Sequence, residues 1–167
     1  MHDVDEPQGD EPQGQRLELR CFGTPKVLLD GHPLHFPTRH AVQALFMMVL
    51  RPDGAVSADE LSRSLWPDAP ESRLPRRLAT LTWQLRRTLA DERRRVIRRR
   101  EMLSFDREGV RIDLLEARRR AVQEHAGGGI SHEAAAALAS PVLVPWSAEP
   151  WVIEVIAENH ALLARLS

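Results

Sequence analysis

The sequence of 167 residues has little of what several protein classes require. Its one cysteine, Cys21, cannot form an internal disulfide, which favours a reducing, cytoplasmic location. It contains no run of eighteen apolar residues, so we expect no membrane-spanning helix. The first ten residues are acidic and polar, whereas a signal peptide needs a basic stretch followed by an apolar one. These absences predict a cytoplasmic protein with no membrane partner.

The patterns of enzymes and metalloproteins are also missing. There is no glycine-rich phosphate loop, and Cys21 has no evident base partner. His32, His35 and His40 do not form any Cys/His pair with the spacing of a zinc site. We therefore expect no catalytic residue, no metal site and no cofactor, and we predict that the chain is not an enzyme.

Positive charge is concentrated in one segment of the chain. Lys26 is the only lysine, and the formal net charge is −1. Residues 71–100, however, hold eleven arginines against three acidic residues. Because local fields matter more than the net charge, this segment predicts contact with nucleic acid.

The N-terminal part divides into a tail and a group of short strands. Residues 1–15 contain the sequence DEPQG twice and almost no apolar side chains, so we expect a disordered acidic tail. Alternating apolar positions predict three short strands between residues 17 and 36. The Asp30-Gly31 pair is typical of a hairpin turn, so the strands should form an antiparallel meander.

Two helices should follow the strands. Thr38 is a suitable N-cap for an apolar helix that ends before Pro52. Ser57 and Glu60 form the capping-box pattern of a second, shorter helix. The order of helix, tight glycine-containing turn at 52–54 and helix suggests a helix-turn-helix unit.

A third helix is predicted at roughly residues 72–90. Pro75 fits only in its first turn, which places the N-cap near Ser72. Leucines at 74, 78, 81 and 85 fall on one side. An α-helix fits the DNA major groove, where Arg pairs with guanine and Gln with adenine, although a solvated arginine-rich face is the alternative. We expect Trp83 to pack under the next hairpin, and the alternative is that it stacks on the sugar or backbone of the DNA. The polar side of the helix carries Arg73, Arg76, Thr80, Trp83, Gln84 and Arg87.

A basic hairpin should follow the third helix. Two short strands are predicted around a turn near residues 99–101, with a third strand at 110–112. Arg93–Arg95 and Arg98–Arg100 would then lie beside the helix, where such a wing contacts phosphate or the minor groove. From Asp113, which pairs with Glu116 as a second capping box, the rest of the chain should be helical.

Several motifs resemble those of one known family. They are FG-x-P-x-V-x-L-x-G-x-P-L over the strands, PTR at the first helix, V-S-x-x-E-L…LWPD over the second, and LR-R-x-L in the third. In these motifs, residues 16–113 resemble the N-terminal domain of the SARP-type regulators (Streptomyces antibiotic regulatory proteins). The resemblance implies an α+β fold, an OmpR-like winged helix-turn-helix with an N-terminal antiparallel sheet and a C-terminal hairpin wing.

Residues 114–167 are similar to the start of the bacterial transcriptional activation domain that follows in this family. The segments SPVLVPW and EPWV match its Y-x-G-x-x-L-P-G…EWV stretch, with Ser140 in place of a glycine. The resemblance implies a short all-α segment that represents only part of that domain.

The resemblance also implies the site and its partners. It brings the third helix into the major groove of double-stranded DNA. RNA polymerase or another regulator would be a protein partner, and two protomers would bind direct repeats. The DNA contacts it implies are Arg73, Arg76, Arg77, Thr80, Gln84 and Arg87 on the helix, with Arg98 and Arg99 on the wing.

The function we predict is therefore a sequence-specific DNA-binding transcriptional regulator. One alternative is a protein-interaction module, in which the winged helix has lost specific DNA binding and the helical segment binds a partner. A weaker alternative is an RNA-binding or nonspecific nucleic-acid-binding protein. Steep loss of affinity with rising salt would distinguish a DNA binder from the interaction module.

Overall fold

The computed structural model describes residues 16–167 of the chain. The predicted acidic tail of residues 1–15 lies outside the described residues. In the described part, six α-helices and two small sheets form an α+β fold. None of those helices is both long enough and apolar enough to cross a membrane.

The N-terminal strands form the predicted meander. Strand β1 (Leu17–Arg20) pairs antiparallel with β2 (Lys26–Leu29), which pairs antiparallel with β3 (His32–Pro33). Asp30 and Gly31 both have positive φ, 51° and 79°, the backbone conformation that this two-residue turn requires. The Asp-Gly prediction is confirmed, although β3 is shorter than the sequence suggested.

Helix α1 (Arg39–Val49) is the centre of the core. The hydroxyl of Thr38 accepts a hydrogen bond from the Ala41 amide at 3.2 Å, so the predicted cap is confirmed. Most residues of the helix are buried, as its nearly continuous apolar sequence predicts. Arg107 holds the other end, because its guanidinium donates to the carbonyl oxygens of Val49, Arg51 and Pro52 at 2.7–3.0 Å.

The connection from α1 to the second helix differs from the prediction. Strand β4 (Ala55–Ser57) lies between α1 and α2 (Ala58–Leu65), where the sequence predicts only a tight turn. The strand forms because Val56 is buried and the segment pairs with the later hairpin. Ser57 caps α2 as expected, accepting from the Glu60 amide at 3.1 Å.

Helix α3 (Leu74–Leu89) follows a single 3-10 turn at Glu71–Arg73. The predicted cap at Ser72 is wrong, since no side chain caps this helix. Pro75 does lie in the first turn, where its missing N–H costs no intrahelical bond. The helix-turn-helix unit predicted from the first two helices is thus wrong, because β4 separates α1 from α2; the consecutive helices without a strand between them are α2 and α3.

The wing is a hairpin of β5 (Val96–Arg99) and β6 (Met102–Phe105). With β4 on the free edge of β6, it makes a three-stranded sheet. The next strand, β7 (Arg111–Ile112), leaves this sheet and pairs in parallel with β1. The N-terminal sheet thus gains its fourth strand, β7, from the segment that follows the wing in the chain.

Three helices complete the described chain: α4 (Asp113–Ala126), α5 (His132–Ala139) and α6 (Pro150–Leu166). Asp113 does not form the predicted capping box with Glu116. Its carboxylate instead accepts hydrogen bonds from the backbone amides of Cys21, at 2.7 Å, and Phe22, at 3.3 Å. The side chain therefore joins α4 to the end of β1.

The helical segment shares its main core with the winged helix. The rings of Phe46 on α1 and Trp146 pack edge to face with their centroids 5.8 Å apart. The ring centroids of Trp146 and Trp151 are 6.0 Å apart. The Leu143 amide donates to the Cys21 carbonyl at 2.8 Å. Trp146 and Trp151 are both buried and belong to this core. The division of the chain at residue 113 remains a prediction.

Candidate nucleic-acid interface

Helix α3 has one apolar side and one basic side. Of the four leucines predicted to face the core, Leu78, Leu81 and Leu85 are buried and Leu74 is half-buried, and Leu89 is buried as well. The helix contains no acidic residue, and its other side is exposed apart from the half-buried Gln84. The structure therefore brings together on one surface, which we call the α3 face, Arg73, Arg76, Arg77, Thr80, Gln84 and Arg87.

The arginines of the α3 face have no acidic partner. Every ion pair between side chains in residues 16–167 involves other arginines. Arg73, Arg76 and Arg77 also lie at the N-terminal end of α3, where the helix dipole disfavours positive charge by about 0.3–1 kcal/mol each. Their positive charge thus has no acidic partner and lies at the unfavourable end of the helix dipole. A bound anion would relieve both effects.

A groove of about 550 Å³ runs beside the first half of α3. Its walls come from the start of α1, the end of α2 and α3 itself. It is lined by both polar and apolar side chains, so an anion with an apolar portion, such as a sugar-phosphate chain, matches its chemistry. The lining residues are Thr38, His40, Trp66, Arg73, Arg76, Arg77, Thr80, Leu81 and Gln84.

Trp66 and His40 are in contact with each other where they line this groove. The indole N–H of Trp66 donates to Nδ1 of His40 at 3.2 Å, which requires that nitrogen to be unprotonated. Burial lowers the pKa of His40, and the nearby charges of Arg39 and Arg77 lower it further. The guanidinium of Arg77 lies 5.7 Å from the centre of the Trp66 ring, a cation–π contact that holds it at the groove.

Gln84 is less free than the sequence suggests. Its Oε1 accepts a hydrogen bond from the Thr38 hydroxyl at 3.1 Å. A paired contact to adenine uses both the oxygen and the nitrogen of the amide. The side chain can make that contact only while its oxygen is shared with, or released from, Thr38.

Trp83 lies in the open, contrary to the expectation that it packs under the wing. Its side chain is 57% exposed. The Arg87 guanidinium stacks over its ring, 5.2 Å from the centroid. The helical periodicity places Trp83 on the polar side, opposite the buried leucines, and that signal is the one that the structure confirms.

The arginines after α3 separate into two groups. Arg93–Arg95 belong to a 3-10 helix (Ala90–Arg95) and not to the hairpin, so that part of the prediction is wrong. Arg95 pairs with Glu92 and donates to the Asp106 carbonyl at 3.1 Å. Arg86, which lies near the C-terminal end of α3 itself, similarly donates to the Val96 carbonyl oxygen at 3.1 Å. These two side chains bind protein groups at the base of the wing, unlike the arginines of the α3 face.

Arg98 and Arg99 are exposed on the wing, but they lie on opposite faces of it. Arg98 shares a face with the buried residues Val96 and Leu103, whereas Arg99 lies opposite Met102 on the outer face. Only Arg98 is therefore on the side of the sheet that packs against the helices. The prediction treated the two residues alike.

The described residues offer little to metal-dependent or nucleophilic chemistry. Within 16–167, no three His, Cys, Asp or Glu side chains are grouped closely enough to hold a metal ion. Cys21 is buried, and burial together with the neighbouring Asp113 carboxylate raises the pKa of its thiol. A thiol held in its neutral form is a poor nucleophile.

Comparison with known proteins adds a structural neighbour. No protein-family model matches the sequence, and no curated protein matches it either. Among solved structures, the chain is similar to EmbR of Mycobacterium tuberculosis, determined in complex with a low-affinity phosphopeptide. The TM-score is 0.62 at 20% sequence identity, over 87% of this chain and 44% of EmbR. The chain thus spans less than half the length of that protein, and the similarity establishes a shared fold.

Proposed function

We propose that this chain is a sequence-specific DNA-binding transcriptional regulator of the SARP type, with α3 in the major groove and the hairpin wing on the DNA backbone or in the minor groove. One observation carries the proposal: α3 presents a row of exposed arginines that have no acidic partner within residues 16–167. The winged-helix fold and the similarity to EmbR support it at the level of the fold.

The α3 face has dimensions that suit a DNA groove. From Arg76 to Arg87 the helix rises about 17 Å, and an α-helix about 10–12 Å across fits the major groove, which is about 12 Å wide. Arg76 and Arg87 point most directly away from the core, and we propose that they contact bases. Arg73 and Arg77 line the groove of the protein beside Trp66, and we propose that they contact phosphate. Thr80 lies between this pair and the pair formed by Arg76 and Arg87.

The roles of the wing residues follow from their faces. We propose that Arg98 contacts the DNA backbone beside α3, since its side of the sheet packs against the helices. Arg99 extends from the outer face and would reach a more distant phosphate or the minor groove. Contacts of this kind add affinity with little sequence information.

The wider setting is also part of the proposal. Double-stranded DNA would be bound in the cytoplasm by two protomers on direct repeats. Residues 114–167, packed on the winged helix through Trp146 and Trp151, would represent part of an activation domain that contacts RNA polymerase or another regulator. No catalytic activity is proposed.

Retention of genomic DNA on the full chain tests the proposal. Sheared genomic fragments are passed over immobilised protein at increasing salt, and the retained fragments are sequenced and footprinted. We expect a subset of fragments to be enriched and released steeply as salt rises. If no fragment is retained in a salt-sensitive way, the proposal is wrong and the protein-interaction alternative takes its place.

A further inference from the structure

Trp83 is the most exposed large apolar side chain in the described part of the chain, at 57%. It lies at the middle of α3, and Thr80 and Arg87 are its neighbours along the same side. Exposed tryptophan is unusual in a folded protein and is enriched where a partner binds. The position of this one indicates which partner it meets.

Trp83 is surrounded on α3 by the proposed DNA contacts. At 100° per residue, Arg76, Trp83 and Arg87 lie within about 40° of one another on the helix. Any surface that receives Arg76 and Arg87 must therefore also receive the indole ring. If α3 lies in the major groove, Trp83 cannot remain outside it.

The cation–π contact between Trp83 and Arg87 orders both side chains before DNA is bound. The guanidinium lies over the ring at 5.2 Å, which restricts two otherwise mobile side chains. The Arg87 guanidinium has no acidic partner within residues 16–167, so its N–H donors remain available. Those donors match the O6 and N7 acceptors of guanine, while the indole presents an apolar surface beside them.

We propose that Trp83 is a specificity-determining residue, which contacts the C5 methyl group of a thymine next to the guanine bound by Arg87. This inference rests on the proposed DNA-binding function. The thymine methyl is the apolar group that the major groove offers, and apolar side chains commonly read it. Contact with the sugar-phosphate chain would instead be independent of sequence.

Removal of a single methyl group from the DNA tests the inference. A preferred sequence is first selected from randomised DNA with the full chain. Each thymine in it is then replaced in turn by uracil, which lacks only the C5 methyl. We expect one replacement to weaken binding about fourfold, the effect of one buried carbon. Trp83→Ala should bind the thymine and uracil probes equally, whereas Trp83→Phe should keep part of the difference.

A matched control separates this effect from a general loss of surface. Ile153 on α6 is 53% exposed, so Ile153→Ala removes a comparable apolar side chain far along the sequence from α3. It should bind both probes as the unchanged protein does. Thermal unfolding of each variant checks that the fold is intact, which is expected because Trp83 is largely in solvent.

Two results would overturn the inference while leaving the proposed function standing. One is a wild-type chain that binds selected DNA but does not distinguish uracil from thymine at any position. The other is a Trp83→Ala variant that weakens all sequences equally and keeps the wild-type discrimination. Failure of the unchanged chain to bind any selected DNA would instead refute the proposed function itself.

Discussion

Arginine has different surroundings in two regions of this protein. On the α3 face, Arg73, Arg76 and Arg87 are exposed and have no acidic partner in the described chain. In the helical segment, Arg118 lies mostly buried between α4 and α6. It donates to Asn159 at 2.7 Å and pairs with Glu158 at 3.1 Å. The same residue type is therefore available to a ligand in one region and part of the structure in the other.

This difference indicates how the basic segment should be interpreted. Eleven arginines between residues 71 and 100 suggest one positive patch. The structure withdraws Arg86 and Arg95 from that patch, because both bind backbone carbonyls at the base of the wing. What remains are exposed arginines along α3, at Arg93 and Arg94 of the 3-10 helix, and at the wing tip. Substitution of an arginine that binds protein groups should therefore lower stability. Substitution of an arginine on the α3 face should instead lower the affinity for DNA.

Arg107→Ala should have the largest effect, and it should act on stability. The substitution leaves the carbonyls of Val49, Arg51 and Pro52 without their donor at the end of the central helix. We expect the free energy of unfolding to fall by about 3 kcal/mol, measured by urea denaturation. Arg119→Ala on α4, which removes an exposed arginine, is the control and should change stability little. Equal effects from the two variants would break the distinction between structural and available arginines.

Arg76→Ala and Arg99→Ala should separate base contact from backbone contact. Arg76→Ala should cost about 1–3 kcal/mol of binding free energy on the preferred sequence and relax the sequence preference. Arg99→Ala should weaken all sequences by a similar, smaller factor. Selection from randomised DNA with each variant provides the measurement. Identical changes in preference would show that helix and wing do not have the separate roles assigned to them.

The same Arg76→Ala variant should be at least as stable as the unchanged protein. It removes a positive charge from the unfavourable end of the α3 dipole, worth about 0.3–1 kcal/mol at low salt. Thermal unfolding in low and high salt checks this, since salt should screen the gain. A clear loss of stability in Arg76→Ala would mean that this side chain supports the fold after all.

His40 should contribute a small dependence of stability on pH. Its pKa is lowered in the folded protein, so the folded state binds fewer protons than the unfolded state as the pH falls below about 6.5. The contribution of His40 is then complete above that pH and is lost as the pH falls through the lowered pKa. Between pH 8 and pH 5, the free energy of unfolding should decline less steeply in His40→Gln than in the unchanged protein. An unchanged pH profile in that variant would contradict the role given to burial.

Local signals in the sequence predicted much of the fold. The Asp30-Gly31 turn, the caps at Thr38 and Ser57, and the leucine side of α3 depend on neighbouring residues, and all four are present. The resemblance to a known family supplied the winged-helix topology.

Several of the wrong predictions involve distant contacts, whereas the absent cap at Ser72 and the 3-10 helix at Ala90–Arg95 are local errors. Asp113 has the spacing of a helix cap, yet it binds amides 91 and 92 residues earlier in the chain. Trp83 was expected under the wing, but its position depends on how the hairpin packs. The face on which each wing arginine lies follows from the strand register, which short strands specify weakly in sequence.

The salt dependence of DNA binding tests the central claim most directly. Affinity for a selected sequence is measured from low to high salt for the unchanged chain, for the combined Arg73→Ala and Arg77→Ala variant, and for the combined Arg119→Ala and Arg165→Ala variant, a charge-matched control at exposed positions of α4 and α6. Each lost phosphate contact should reduce the slope of log affinity against log salt by about 0.9, so the double variant should lose roughly two units and the control none. Equal slopes for all three proteins would contradict the claim that the unpaired arginines of α3 exist to bind DNA.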